Sequence, residues 1–443
     1  MSHLFFGTDG IRTLIGTSPL TIQELPKLGY AIAQWAFEKN HYVPSILLAH
    51  DTRSSCHFIK AALKSGLLLN DCKIFDALAL PTPTACMLTR MNKAFNCGII
   101  ITASHNPSQY NGLKIVDGHG SKIRNEDQTR ISELFYTTNL SLISHTHVGN
   151  DFRALNPGEP YIHTLSTYFN ELFLQGKTIV LDCAHGATST LAPHIFRTFG
   201  ANVIAINAAP DGQNINKNCG SLFPKSLIDA VKAYKADAGF AFDGDGDRVI
   251  AVNRHGQIKD GDDILALLVH HASFKNTSAL IGTTFSNEGL NKYLATQNKK
   301  LIRTDVGDQH VIEEMHNRKL NLGGEPAGHI IMSQYLDSSD GIYTALMILD
   351  SIIQTSNWDM STFEHYPQVL VNVPINHKME LNKAPITEIL AKNQKDYPAA
   401  RFVIRYSGTE PLLRILVESE EKKNAEILAT KLSNQLRTAI DTI

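Results

Sequence analysis

The chain has 443 residues, 43% hydrophobic and 19% charged, with a formal net charge of −2. That length predicts three or four domains, or two large ones, with enough apolar content for true cores. The near-neutral balance gives no basis for a nucleic-acid or anionic-membrane surface, although positive charge could still gather in a cleft. Six cysteines (Cys56, Cys72, Cys86, Cys97, Cys183, Cys219) form no CxxC pair and several lie in apolar runs. They predict reduced thiols, with neither a disulfide framework nor a zinc site. The start, Met1-Ser2-His3-Leu4-Phe5-Phe6-Gly7, lacks a basic region before a long apolar stretch, so no signal peptide is expected. No apolar run approaches the roughly 20 residues that span a bilayer. A cytoplasmic protein is expected.

In chain order, an apolar run at 46–50 predicts a strand, followed by a polar loop at 51–55, a helix to about residue 69 and a strand near 74–75. Residues 98–101 predict another strand, which leads into Thr102-Ala103-Ser104-His105-Asn106-Pro107. Ser104 therefore stands just past a strand's C-terminal end, where ligands collect in open α/β sheets. Pro107 and the turn residues Ser108-Gln109-Tyr110-Asn111-Gly112 keep this loop out of helix geometry. Such a serine could carry a nucleophilic hydroxyl or a phosphate on a small side chain exposed in a cleft. The bland reading is a turn serine bonded to local backbone.

The unit recurs at pattern level: strand 178–181, loop 182–187, helix 190–199, strand 203–206. An apolar strand at 238–242 then runs into Asp243-Gly244-Asp245-Gly246-Asp247-Arg248. Alternate residues of extended backbone point to one side. Three carboxylates there repel one another unless a cation sits among them, and Mg²⁺ is a hard ion that takes oxygen ligands. A solvated Asp-Gly turn is the alternative. A calcium EF-hand loop is disfavoured, because its twelfth position would be Arg254 rather than glutamate.

A third copy begins with strand 279–283, loop 284–288, helix 290–295 and strand 301–302. Alternating strands and helices predict βαβ units in parallel or mixed sheets. The Gly-rich stretch Gly323-Gly324-Glu325-Pro326-Ala327-Gly328-His329 offers a glutamate and a histidine that could bind hydroxyls and move a proton, or it is a flexible turn. The C-terminal part differs: strands at 369–373, 402–404 and 413–417 and a long helix at 422–440. There Arg405-Tyr406-Ser407-Gly408-Thr409-Glu410-Pro411, with Arg414, suits a phosphate dianion; the alternative is an exposed hairpin turn. The expected domains are 1–152, 153–252, 253–362 and 363–443.

In that order the four loops resemble the α-D-phosphohexomutase superfamily: phosphoserine loop, metal loop, sugar loop, phosphate loop. The likeness runs nearly the full chain, and four ordered motifs are far more specific than one. Within the superfamily the chain is most similar to the bacterial phosphoglucosamine mutases. The residues that carry this are Phe6-Gly7-Thr8-Asp9-Gly10-Ile11-Arg12, Asp182-Cys183-Ala184 with Gly186-Ala187-Thr188, Pro210-Asp211-Gly212-Gln213-Asn214-Ile215-Asn216 with Cys219-Gly220-Ser221, and Ser407-Gly408-Thr409-Glu410-Pro411. There are departures. Thr13 follows Arg12 where the family usually has glycine. Pro326-Ala327 stand where Gln-Ser or Met-Ser is usual. Gln309-His310 replace Arg-Tyr after Asp308, and 110–114 reads more like the phosphomannomutase/phosphoglucomutase branch. They bear on sugar preference more than on reaction type.

The resemblance implies an α/β fold of four domains around a central cleft: three related α/β domains with mixed sheets and a smaller C-terminal α+β domain. It implies interconversion of glucosamine-6-phosphate and glucosamine-1-phosphate, for UDP-N-acetylglucosamine synthesis, through phosphorylated Ser104 and a sugar 1,6-bisphosphate intermediate or activator. One Mg²⁺ would be held by Asp243, Asp245, Asp247 and an oxygen on Ser104. Arg12 and Arg248 would add positive charge. Lys114 and His329 would transfer protons to and from sugar hydroxyls. His105 would contact substrate, and Glu325 would hold ring hydroxyls. Arg405, Ser407, Gly408, Thr409 and Arg414 would clamp the phosphate that is not reacting. The partner is a small hexose or hexosamine phosphate, with no nucleic acid and no membrane, and a homodimer is compatible with it. The alternatives are a phosphomannomutase/phosphoglucomutase and, in a different class, a non-catalytic sugar-phosphate-binding regulator. Intact Ser104, the three aspartates and Arg405 argue against loss of catalysis.

Overall fold

Short apolar runs bounded by polar loops become the inner strands of three mixed sheets in the computed structural model, which describes residues 5–7, 9–142, 148–375, 379–406 and 412–441. The strands Cys97–Ile101 and Ala238–Phe242 are buried along their whole length. Parallel strands covered by helices on both faces require this, and it is why their sequences do not alternate.

The three sheets share one unit. In the first, Ser45–His50 leads through helix Ser55–Leu68 to Lys73–Ala79, then through helix Thr82–Met91 to Cys97–Ile101, and Tyr110–Asp117 returns antiparallel. The second repeats this with Thr178–Asp182, Asn202–Ile206, Ala238–Phe242 and antiparallel Val249–Asn253. The third repeats it with Ala279–Thr283, Lys300–Thr304, Leu322–Gly324 and antiparallel Ile330–Met332. The strand–helix–strand repeat read from sequence is thus the first half of a longer unit. Its functional consequence lies in the second half. The loops joining third to fourth strand are 102–109, 243–248 and 325–329, so the serine, the three aspartates and the glutamate–histidine pair occupy equivalent places in three copies of one fold.

The sheets extend past the expected boundaries. Asn150–Arg153 pairs with Lys73–Ala79, so the first sheet crosses position 152. Ile258–Lys259 pairs with Val249–Asn253, so the second sheet runs on past 252. Phe196 and Phe240 of the second unit and Leu265 and Leu346 of the third belong to one continuous core, which fixes these two loops relative to each other.

The C-terminal sheet has the order Gln368–Pro374, Leu412–Glu418, Arg401–Tyr406, all antiparallel, under helix Lys422–Asp441. It has its own core around Ile415, Val417, Leu432 and Leu436. Arg401 ties it to the third unit: its guanidinium pairs with Glu418 and donates to Thr284 O and Ser286 O. All six cysteines are free and buried, and burial pushes the thiols of Cys72, Cys86, Cys183 and Cys219 up to about 12, which suits core packing and not nucleophilic chemistry. Among the described residues no helix is long and apolar enough to cross a membrane.

Candidate active site

Ser104 sits at φ +49°, in the left-handed region that non-glycine residues adopt only when their surroundings impose it. Its Oγ donates to Asp243 Oδ2 at 2.7 Å and lies 3.3 Å from His105 Nδ1. This differs from the expected side chain exposed in the cleft, since Ser104 is 1% exposed with its hydroxyl turned onto Asp243 of the metal loop. His105 is half-buried and lies near the guanidinium groups of Arg248 and Arg12. Burial first, and then these charges, push its pKa down to about 3, so the ring is neutral at physiological pH.

The carboxylates of Asp243, Asp245 and Asp247 converge, with one oxygen of each within 4.8 Å of the others. Backbone geometry holds them there. Asp243 Oδ1 accepts from Gly246 N and Arg248 N. Asp245 is anchored to the first domain, where Thr82 Oγ1 donates to Asp245 Oδ2 at 2.6 Å and Thr82 N donates to Asp245 O. Gly244 is needed for close approach, because a Cβ there would lie 2.6 Å from Ser104 O. Burial and the neighbouring charges of Asp247 and Asp245 raise the Asp243 pKa well above the carboxylate range.

Lys114 supplies the compensating charge in this state. Its Nζ is 2.6 Å from Asp247 Oδ2, 3.0 Å from Asp245 Oδ2 and 3.1 Å from Asp9 Oδ2. Burial works against its charge, but the carboxylates of Asp245, Asp247 and Asp9 outweigh it and hold the pKa well above the ordinary lysine value. Lys114 therefore enters the site as an ammonium, a proton donor rather than an acceptor. Even so, Asp245 Oδ1 and Asp247 Oδ1 remain buried with no hydrogen-bond partner among the described residues. Two orphaned carboxylate oxygens beside a third acid fit a hard divalent cation. A second acidic group, Asp260, Asp263 and His365, is already satisfied: Asp263 pairs with Lys259, Thr362 and His365.

The basic residues surround this centre. Arg12 donates to Asp9 Oδ2 and Asn106 Oδ1. Arg248 lies near Asp247, Asp243 and Glu325, and its buried Nε has no partner among the described residues, as expected of a donor meant for an incoming anion. From the third domain, His329 places Nδ1 3.9 Å from Asp247 Oδ1 and Nε2 3.9 Å from Asp308 Oδ2. Glu325 Oε1 accepts from Gly307 N, which joins the sugar loop to the N-terminus of helix Asp308–Arg318, whose first turn bears the unusual Gln309-His310. Gly328, at φ +87°, lets the same turn lie against Val249 O, and Ala327 is exposed at its tip.

Arg405 and Arg414 stand directly opposite each other on neighbouring antiparallel strands. Like charges in that register are unfavourable unless an anion lies between them. Desolvation, and then the charge of Arg414, lower the Arg405 pKa, with Glu325 partly offsetting them; the guanidinium lies 5.0 Å from the centre of the Phe285 ring. Ser407, Gly408 and Thr409 lie outside the described residues.

The structure thus gathers Ser104, His105, Arg12, Lys114, the three aspartates, Arg248 and His329 at one centre. Sequence reasoning gave no role to Asp9, Arg53, Lys122, Asn216 or Asp308. Lys122 bridges Asp9 and Asp308, joining the first domain to the third. Asp9 lay within a motif already singled out. Asp308 lay beside the departure at Gln309-His310, whereas Lys122 carries no local signal, because its meaning lies in a partner almost 190 positions away.

Four family profiles for phosphoglucomutase/phosphomannomutase match the chain: α/β/α domain I at residues 3–141, domain II at 159–256, domain III at 260–368 and the C-terminal domain at 370–435. The chain is 37% identical over 442 residues to a phosphoglucosamine mutase of Acinetobacter baylyi, covering 98% of this chain and 99% of that one. It is 38% identical to one of Helicobacter acinonychis, covering 96% and 97%. Among solved structures, a phosphoglucomutase/phosphomannomutase family protein of Burkholderia thailandensis superposes with a TM-score of 0.81 over 100% of this chain and 98% of that one, at 21% identity.

Proposed function

The chain belongs to the phosphoglucosamine mutases of the phosphohexomutase superfamily, and from that premise we propose that it interconverts glucosamine-6-phosphate and glucosamine-1-phosphate through phosphorylated Ser104. The observation that carries this reading is the Ser104 hydroxyl held 2.7 Å from Asp243 in an acidic triad with two unpartnered oxygens. In the first half-reaction the bond from phosphorus to Ser104 Oγ breaks and a bond to the free sugar hydroxyl forms, giving a sugar 1,6-bisphosphate. The bisphosphate then turns over and returns its other phosphoryl group to Ser104. Mg²⁺ is the ion proposed for Asp243, Asp245 and Asp247, where it would offset charge on the transferring group.

The remaining chemistry falls to the chain's own residues. Arg12 and Arg248 draw the phosphoryl oxygens into place. Neutral His105, 3.3 Å from Ser104 Oγ, contacts the substrate as it reaches the serine. His329, between Asp247 and Asp308, suits removal of the proton from the attacking hydroxyl. Lys114, kept protonated by three carboxylates, suits delivery of a proton to the oxygen that loses its phosphoryl group. Glu325 serves the ring hydroxyls. Arg405 and Arg414, with Ser407, Gly408 and Thr409, hold the distant phosphate, and that binding fixes the reacting end in line. Arg405→Ala is accordingly expected to raise KM about tenfold and to lower kcat several-fold; steady-state kinetics that match the unmutated enzyme would return this loop to a surface turn.

The phosphomannomutase/phosphoglucomutase reading is favoured by 110–114 and by the sugar loop, where Ala327 has no hydroxyl and Pro326 stiffens the backbone beside Glu325. One neutral hydrogen bond is worth about 0.5–1.5 kcal/mol, too little to change the reaction but enough to weaken sugar discrimination. A coupled assay with glucosamine-6-phosphate, mannose-6-phosphate and glucose-6-phosphate in parallel tests the proposal. Glucosamine-6-phosphate is expected to give the highest kcat/KM by a modest factor, and Ala327→Ser to improve it by up to about tenfold. Faster turnover of mannose-6-phosphate would assign the chain to the other branch. The product, glucosamine-1-phosphate, would feed UDP-N-acetylglucosamine synthesis in the cytoplasm.

A further inference from the structure

We infer that Arg53 and Asn216 are positioning residues that grip the main chain of the Ser104 loop from two domains and thereby aim Ser104 Oγ at the acidic triad. The inference rests on the proposed role of Ser104 as phosphoryl carrier.

Loop 102–109 lies outside any strand ladder, so most of its carbonyls need partners from elsewhere. Arg53, in the first domain, is 1% exposed. Its Nε donates to Asp51 Oδ2 at 2.9 Å. Nη1 donates to Pro107 O and Tyr110 O, and Nη2 to Ser104 O at 2.9 Å and Asn106 O at 2.7 Å. A guanidinium has five donors in a fixed plane, and here all of them are used, four on the main chain of this one loop and its end. Asp51 is the counter-charge, and it also accepts from Thr102 Oγ1 at the loop's start.

Asn216 comes from the second domain. Its Nδ2 donates to Ser104 O at 2.8 Å and to Asn106 O at 3.1 Å, the same two carbonyls that Arg53 Nη2 holds. Gly244 of the metal loop leaves room for this contact, since a Cβ there would lie 2.8 Å from Asn216 Nδ2. The peptide after a residue at φ +49° is therefore fixed from both sides. The clamp also registers the first domain against the second, which carries Asp243, Asp245 and Asp247. A lysine at 53 could not reproduce it, because an ammonium has three donors converging on one atom.

The test uses the full-length enzyme, phosphorylated with glucose 1,6-bisphosphate and then mixed with glucosamine-6-phosphate in a single turnover. Asn216 is half-buried at φ +58°, so Asn216→Ala should still fold, at a cost in left-handed backbone strain that Asn216→Asp largely avoids. Asn216→Ala is expected to slow phosphoryl transfer and kcat about tenfold with KM within about twofold, since the phosphate clamp and sugar loop are untouched. Asn216→Asp, which cannot donate and turns a carboxylate toward two carbonyls, should be slower still. Arg53→Lys should lose about 100-fold in kcat at similar KM. If wild-type enzyme takes up no phosphate on Ser104, the phosphoserine reading itself fails. If wild type is phosphorylated but Asn216→Asp transfers at the wild-type rate, or if Asn216→Ala changes KM alone, the clamp is wrong and the reading stands.

Discussion

Replacing Ser104 by alanine is expected to abolish turnover, by a factor on the order of 10⁴ or more, while the fold survives. The hydroxyl is the proposed carrier of the transferred group, and among the described residues no other hydroxyl donates to Asp243. What the substitution removes from the fold is the hydrogen bond to Asp243 and the longer one, 3.3 Å, with His105 Nδ1. Asp243 Oδ2 loses a donor, at a cost of about 1–3 kcal/mol for a buried group left unsatisfied. The loop itself is held through main-chain carbonyls, which alanine keeps. Intact-mass analysis should find wild-type protein partly heavier by one phosphate, with the modification at Ser104, and the alanine variant without it. Near-normal activity in a well-folded variant would remove the phosphoserine mechanism.

The second large effect is expected from the acidic triad. Thorough chelation should eliminate activity and added Mg²⁺ should restore it, whereas Asp245→Asn should stay at least about 100-fold impaired even at high Mg²⁺. Asparagine preserves shape, and Thr82 Oγ1 still has an oxygen to meet. The charge is what disappears, and a hard cation is held chiefly by charge. The fold should tolerate chelation well, because Lys114 already contacts Asp245 and Asp247 and offsets their repulsion. Metal removal is therefore expected to leave thermal unfolding nearly unchanged while activity vanishes. Undiminished turnover in chelator would mean that the aspartates serve another purpose.

Much of this was legible in the chain because the information is local. Apolar runs such as 97–101 and 238–242 specify buried strands, and the polar and glycine-rich segments behind them specify loops at a sheet edge. The three aspartates at alternate positions, the serine before Pro107 and the paired arginines 405 and 414 each announce charge that must meet opposite charge. Motif order did the rest, since four such loops in one sequence narrow the family far more than any one does.

The tertiary structure decided which groups face one another. Lys114 reads as a proton-transfer candidate, yet three carboxylates from two domains keep it charged. Ser104 reads as exposed, yet it is buried with its hydroxyl on Asp243 of another domain. Arg53 lies in the polar loop 51–55 with no motif to mark it, and only folding brings it beneath carbonyls some fifty residues later, where Asn216 meets it from another domain. The equivalence of the serine, metal and sugar loops also emerges only from strand order, because the three copies share geometry with little residue identity. The physical reason is common to all of these. A sequence states which charges and hydrogen-bonding groups exist and what local backbone they favour. Protonation state, burial and loop aim depend on distances between segments far apart in the chain, and those distances are set only when the cores pack.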